Sequence, residues 1–121
     1  MTELSAAVDT SALDELRESV GGDPEFFAEL VDDFLADAPT QLELLRRSIS
    51  SGDSDEARRA AHTLKGLSRT FGAGELASLC QEVEAGVAAG DLSVGLARVD
   101  AISSEWVRVE SELVRLRDDP S

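Results

Sequence analysis

An unbroken stripe of apolar residues with helical spacing is the feature that most constrains how this chain can fold. It advances in steps of three and four residues and consists of Phe27, Val31, Phe34, Ala38, Leu42, Leu45 and Ile49. Such steps place every member on one face of an α-helix. Pro39 lies within the stripe but does not shift its phase, so we expect one long, kinked helix and no domain boundary there.

Capping residues and glycines mark ends of this long helix and of the four further helices that we predict around it. Helices begin preferentially after Ser, Thr, Asp or Asn, tolerate proline in the first turn, and end at glycine. The predicted starts are Thr10 or Ser11, Asp23 followed by Pro24, Asp53 or Ser54, and Asp91, and the predicted ends are Gly21 with Gly22, Gly72 and Gly90.

Apolar stripes also mark the last two predicted helices. The fourth helix carries Leu76, Leu79 or Cys80, Val83 and Val87, and the fifth carries Leu92, Leu96, Val99, Ile102, Trp106, Val109, Leu113 and Leu116. No segment reads as a strand, and short connections between long amphipathic helices force antiparallel neighbours. We predict an all-α fold, an antiparallel up-down four-helix bundle with a short N-terminal helix covering one end. One domain is expected over residues 11–117, with loose termini at 1–10 and 118–121.

The strong negative charge of the chain excludes several classes of partner. The net charge is −14, from 11 basic and 25 acidic residues. Such a field repels nucleic acid and anionic membrane surfaces. No uncharged run is long enough to span a membrane, and a single cysteine cannot form an intramolecular disulfide. We therefore expect a cytoplasmic protein.

The only histidine, His62, lies in the third predicted helix, and we expect it to face solvent. On a helical wheel, successive residues are about 100° apart. Four apolar residues then lie within about 60° of one another and form the predicted core stripe: Ala60, Leu64, Leu67 and Phe71. His62 lies about 190° from the centre of that stripe. Arg58, Lys65 and Arg69 lie within about 60° of His62. Because residues 57–74 contain no acidic residue, these side chains predict a basic surface around an exposed imidazole.

Gly66 follows His62 by four residues and lies on the same predicted face. Glycine inside a helix costs about 1 kcal/mol relative to alanine. Close helix packing is a common reason for such a glycine, but it requires a buried position. An exposed Gly66 instead indicates that a partner approaches the backbone beside His62.

An exposed imidazole with cationic neighbours suits reaction with an anionic electrophile. A histidine side chain is largely neutral near pH 7 and carries a nucleophilic nitrogen lone pair. Nearby arginine and lysine side chains favour a phosphoryl group. One histidine and one cysteine cannot form a zinc site, and no P-loop or GxSxG motif occurs. Spacing alone leaves a hydrolytic triad open. We expect no metal, cofactor or ATP site, and transfer of a phosphoryl group between two proteins.

The segment AHTLKGLSRTFGAGELASLCQEVE, residues 61–84, resembles the histidine-containing phosphotransfer (HPt) domain of phosphorelays. The family pattern has H-x-x-K-G-x-(S/A)-x-x-x-G on one helix, then apolar positions and a glutamate on the next. Here it is met by His62, Lys65, Gly66, Ser68, Gly72, Ala73, Leu76, Cys80, Val83 and Glu84. The resemblance covers about residues 11–117 and extends to the order of the helices.

The resemblance implies roles for individual residues. His62 would be the phosphoacceptor, Lys65 would screen the phosphoryl charge, and Gly66 would let a receiver domain dock closely. Gln81 stands where some members place a glutamine that hydrogen-bonds the imidazole or the phosphoryl group. Cys80 is interpreted as a small buried hydrophobe.

Two functions remain open at this point. The first is a phosphorelay intermediate that exchanges phosphate with response-regulator receiver domains or a (hybrid) sensor histidine kinase. The alternative is an HPt-like adaptor that binds and regulates such a partner without transferring phosphate. A purely structural helical protein would leave Gly66 and the basic surface unexplained. We expect a free-standing monomer, although a piece of a larger sensor kinase would fit the same sequence.

Overall fold

Five α-helices make up most of residues 6–118, the part of the chain that the computed structural model describes. They are α1 (Thr10–Ser19), α2 (Pro24–Ser51), α3 (Ser54–Thr70), α4 (Gly74–Ala88) and α5 (Ser93–Asp118). Within residues 6–118 there is no strand, which confirms the predicted all-α class. Of the helices described, none is long and apolar enough to cross a membrane.

Aspartate side chains cap the first three helices. Asp23 and Asp53 cap α2 and α3, as predicted. The predicted cap of α1 at Thr10 or Ser11 is wrong by at least one residue, because Asp9 occupies that position. Oδ1 of Asp9 accepts hydrogen bonds from both the backbone N and the Oγ of Ser11. A carboxylate accepts hydrogen bonds from the free N–H groups of a first helical turn, which explains why Asp9 is the cap of α1.

Helices α2 to α5 contact one another in a closed cycle. Each of them touches the next along the chain, and α5 returns to α2, while α1 contacts α2 and α3. At the centre, Phe34 of α2 stacks on Phe71 with ring centroids 4.5 Å apart. Phe34 also meets Trp106 of α5 edge-on at 5.3 Å. The entire predicted apolar stripe of α2 is buried, and α2 passes through Pro39 as one helix.

The chain before α1 packs into the core. Ala7 and Val8 are buried, and the N–H of Asp9 donates to the carbonyl of Gly72 at 2.8 Å. The expectation of a loose N-terminal end is therefore wrong for residues 7–10. Residues 1–5 and 119–121, also predicted to be loose, lie outside the described residues.

The fifth helix departs from its predicted stripe at Leu96, which is 62% exposed. The inward position of that turn is held by Gly95, where a Cβ atom would lie 2.7 Å from Cδ1 of Ile49. Glycine thus lets α5 approach α2 closely, and Leu96 turns outward. The helix also begins at Ser93, two residues after the predicted start at Asp91, and Oδ1 of Asp91 accepts from the N–H of Ser93.

Candidate functional site

His62 projects from the middle of α3 into solvent, with 67% of its side chain exposed, as predicted. The buried face of α3 is nevertheless rotated about the helix axis relative to the predicted core stripe. It consists of Ala57, Ala60, Ala61, Leu64 and Ser68, with Phe71 following the helix, while Leu67 is only half-buried. Ser68 can enter the core because its Oγ donates to the carbonyl of Leu64 at 2.6 Å.

Lys65 lies between α3 and α4, and its predicted exposure is wrong. Only 12% of its side chain is exposed. Its Nζ donates to Oε1 of Glu84 at 2.5 Å and to Oε1 of Gln81 at 2.9 Å. The rotation of the buried face brings this flank of α3 against α4, so the lysine is held by two acceptors of the neighbouring helix.

Glu84 of α4 binds both His62 and Lys65 through separate oxygens. Its Oε2 lies 2.7 Å from Nδ1 of His62, while Oε1 accepts from Lys65. Burial opposes ionisation of Glu84, but the hydrogen bonds from Lys65 and His62 outweigh it and hold the pKa of this carboxyl below its usual range. Glu84 is therefore a carboxylate at neutral pH.

This carboxylate selects one tautomer of the His62 ring. A carboxylate can only accept, so Nδ1 carries the proton that is donated to Glu84. In a neutral imidazole the lone pair is then on Nε2. Among residues 6–118 no side chain binds Nε2, so the nucleophilic nitrogen is free on the exposed edge of the ring.

Glu84 contacts His62 in the structure, and sequence reasoning did not include it in the candidate site. We judged the charge around His62 from residues 57–74 alone, a segment without acids. The packing of α4 on α3 introduces a carboxylate from 22 residues further along the chain. The glutamate of the family pattern was the available signal, and it was not connected to His62.

Gly66 faces open space one turn after His62. A Cβ built on Gly66 would have no heavy atom within 4 Å beyond its own helix and chain neighbours. Its carbonyl accepts from Oγ1 of Thr70 at 3.1 Å. Close helix packing therefore does not explain this glycine, in agreement with the predicted exposure.

The remaining predicted residues differ in their surroundings. Arg58 and Arg69 are exposed, and within the described part of the chain neither pairs with a carboxylate. Gln81 is also exposed, but its Oε1 binds Lys65 and not the imidazole. Cys80 is fully buried, as expected. Burial, reinforced by the charge of Glu84, raises the pKa of the Cys80 thiol to about 12, so this sulfur is not a second nucleophile.

Comparison with known proteins gives two matches. The Hpt domain family matches residues 29–119, which include α3, α4 and His62. The crystal structure of histidine-containing phosphotransfer protein B (HptB) from Pseudomonas aeruginosa PAO1 is similar to this chain, with a TM-score of 0.87 and 27% sequence identity. The match covers 95% of this chain and 97% of that chain. No curated protein sequence matches significantly.

Proposed function

Because the chain belongs to the Hpt domain family, we propose that it is a phosphorelay intermediate of two-component signalling, with His62 as the phosphoacceptor. The observation that carries the proposal is the orientation of the imidazole. Nδ1 is held by Glu84 at 2.7 Å, and Nε2 is left on the solvent side of a side chain that is 67% exposed. A partner can therefore reach the nucleophilic nitrogen.

The transfer step uses the lone pair on Nε2 of His62. This pair forms a bond to the phosphorus of an aspartyl phosphate, and the bond between phosphorus and the aspartate oxygen breaks with its electron pair left on the carboxylate. The proton on Nδ1 stays in place, so the phosphorylated ring becomes positively charged. The Glu84 carboxylate stabilises that charge. The reverse sequence passes the phosphoryl group to the next aspartate.

The surface around His62 suits a receiver domain or a (hybrid) sensor histidine kinase. Gly66 leaves room one turn away from the imidazole, where a side chain would stand between the reacting groups. Arg58 and Arg69 are exposed on the same helix and attract a phosphoryl-bearing, acidic partner site. A partner with a receiver or kinase domain would place the protein in the cytoplasm, where we propose that it acts as a monomer.

We further infer that α2 to α5 form the antiparallel up-down four-helix bundle predicted from the sequence, as one domain. The closed cycle of helix contacts supports this inference. So do two links between α2 and α5: Asp32 pairs with Arg117, and Arg46 with Ser103. The order along α2 is the reverse of that along α5, as antiparallel helices require. Helix α1 covers one end by contacts with α2 and α3.

A phosphotransfer panel tests the proposal. The protein is incubated with phosphorylated receiver domains and with autophosphorylated sensor kinases of its host, and the His62→Gln variant serves as the control. We expect acid-labile label on the wild type, no label on the variant, and no label from ATP alone. Label that persists on His62→Gln would rule out His62 as the acceptor. Stable binding of a receiver or kinase without any label would favour the adaptor.

A further inference from the structure

Lys65 is committed to partners on α4 before any phosphoryl group arrives. Its Nζ binds Oε1 of Glu84 and Oε1 of Gln81, and 12% of its side chain is exposed. The side chain therefore lies between the helices and is not extended toward solvent, where Nε2 of His62 is reached by a partner. Two of the three N–H groups of Nζ are thus occupied, and only the third is left for any other acceptor.

The hydrogen bonds form a chain that ends on the ring edge opposite to the reactive nitrogen. Gln81 accepts from Lys65, Lys65 donates to one oxygen of Glu84, and the other oxygen accepts from Nδ1 of His62. We propose, building on the phosphotransfer function above, that Lys65 is a positioning residue that acts through Glu84 and is not the cation that neutralises the phosphoryl group. Arg58 and Arg69 are exposed, and among the described residues neither forms an ion pair like that of Lys65 with Glu84.

The physical reason is that Glu84 is oriented only while both of its oxygens are engaged. A carboxylate held by one ring nitrogen alone can rotate about its terminal bond, and the imidazole then loses a fixed plane and a fixed tautomer. Partners that orient a metal-bound imidazole change metal affinity or activity by about 10- to 100-fold when they are removed, and we expect an effect of that order on His62. Lys65 supplies the second contact, and its positive charge keeps Glu84 ionised.

A double-mutant cycle on the transfer rate separates this role from direct contact with phosphate. The four proteins are the wild type, Lys65→Met, Glu84→Ala and the double variant, each checked for helicity by circular dichroism. If Lys65 acts through Glu84, Lys65→Met slows transfer by about ten-fold in the wild type and changes the rate less than about two-fold once Glu84 is absent. Equal fold losses in both backgrounds, or a larger loss without Glu84, would overturn the proposal.

The tautomer of His62 gives a second measurement, which needs no phosphate donor. In ¹⁵N-labelled, unphosphorylated protein, the ring nitrogen shifts report which nitrogen carries the proton. We expect Lys65→Met to reduce the population with the proton on Nδ1. Lys65→Gln, which can still donate to Glu84, should retain it, and so should the matched control Arg58→Met, which removes a charge from the same helix.

Negative results in the two measurements reject different claims. A wild type that takes no label from any donor would reject the phosphotransfer function, whereas the tautomer experiment would still report on Lys65. An unchanged ring spectrum in a folded Lys65→Met variant would reject the positioning role, even if His62 is phosphorylated normally. Should Lys65→Met not fold, Lys65→Ala, which likewise cannot donate to Glu84, is carried through the same cycle with Glu84→Ala. Retained label combined with a fully additive cycle in that series would likewise reject the positioning role.

Discussion

Nδ1 of His62 lies 2.7 Å from Oε2 of Glu84, across the contact between α3 and α4. The imidazole is therefore fixed by a helix other than its own. The glutamate is mostly buried, with 16% of its side chain exposed, whereas 67% of the histidine side chain is exposed. An exposed imidazole is thus held in place by a mostly buried carboxylate of the neighbouring helix.

We expect Glu84→Ala to slow phosphorylation of His62 by about 10- to 100-fold, because both the orientation of the ring and the charge opposite Nδ1 are lost. Glu84→Gln keeps an oxygen that accepts from Nδ1 but loses the charge, so its rate should lie between those of the wild type and Glu84→Ala. Initial rates of label transfer from a phosphorylated receiver measure the effect.

The matched control for Glu84 is Glu82→Ala on the same helix. Glu82 is half-exposed and pairs with Arg98 of α5, on a different contact of the bundle. Exposed ion pairs contribute little to stability, and the variant should transfer phosphate at the wild-type rate. If Glu82→Ala and Glu84→Ala were slowed alike, general acidity of α4 would explain the effect and the specific contact with His62 would not.

The cap of α1 gives a prediction on the pH dependence of stability. The hydroxyl and the backbone N–H of Ser11 donate to Asp9 and lower the pKa of that carboxyl below its usual value. A depressed folded-state pKa adds stability that is fully present above about pH 4, the unfolded value, and is lost as the pH falls through the folded value. Asp9→Asn keeps a cap without a charge, so its thermal midpoint should fall less steeply between about pH 5 and pH 2.

Ser11→Ala is the companion variant for this experiment. It retains the Asp9 carboxylate but removes the hydroxyl, the largest cause of the lowered pKa. Its pH dependence should lie between those of the wild type and Asp9→Asn. Identical slopes for all three proteins would show that the Asp9 cap does not contribute to acid unfolding.

Helical periodicity was sufficient to predict most of the fold, because long apolar stripes leave few alternatives for where a helix lies. The full stripe of α2 is buried as predicted. The errors arose where a small or polar residue took an inward position. Gly95 replaced Leu96 against Ile49, and Ser68 entered the core by bonding to its own helix. Neither feature changes the hydrophobic pattern in a way that a sequence reveals.

The site was predicted in part. The exposure of His62 and of Gly66 could be predicted from one helix, since a helical wheel places both away from the apolar stripe. The surroundings of Lys65 and Gln81 could not be obtained in this way, because both depend on how α4 packs against α3. The hydrogen bonds from Lys65 and His62 to Glu84 join residues that are 19 and 22 positions apart. Such contacts are set by the angle and register of two helices, which local spacing does not specify.

Gly72 connects the N-terminal segment to the turn between α3 and α4. Its φ is +73°, and a Cβ there would lie 2.6 Å from the backbone oxygen of Asp9. Gly72→Ala should therefore cost both the left-handed backbone strain and a displacement of the segment that carries Ala7, about 2–4 kcal/mol in urea unfolding. Gly52→Ala has φ +77° and open space around the site, so it should cost only about 1–2 kcal/mol. If both variants lost the same free energy of unfolding, the N-terminal segment would be displaced at no measurable cost.

Gly66 is the position at which folding and partner docking favour opposite residues. It lies within α3, and a Cβ added there would meet no heavy atom of another helix within 4 Å. Alanine should stabilise the protein by about 0.4–1 kcal/mol, chiefly because it restricts the unfolded chain. Glutamine should leave the thermal midpoint no lower than that of the wild type.

Transfer should respond to Gly66→Gln in the opposite way. A glutamine one turn from His62 would stand between the imidazole and the phosphoryl group of a docked receiver, and a misplacement of about 1 Å costs about 100-fold in rate. Ala101→Gln is the matched control, because Ala101 is exposed on α5, whose backbone does not come close to that of α3 in the described structure. We expect both variants to melt like the wild type and only Gly66→Gln to lose transfer. Normal transfer by a folded Gly66→Gln would place the docking surface elsewhere, and a large loss of stability would mean that the glycine is needed for packing.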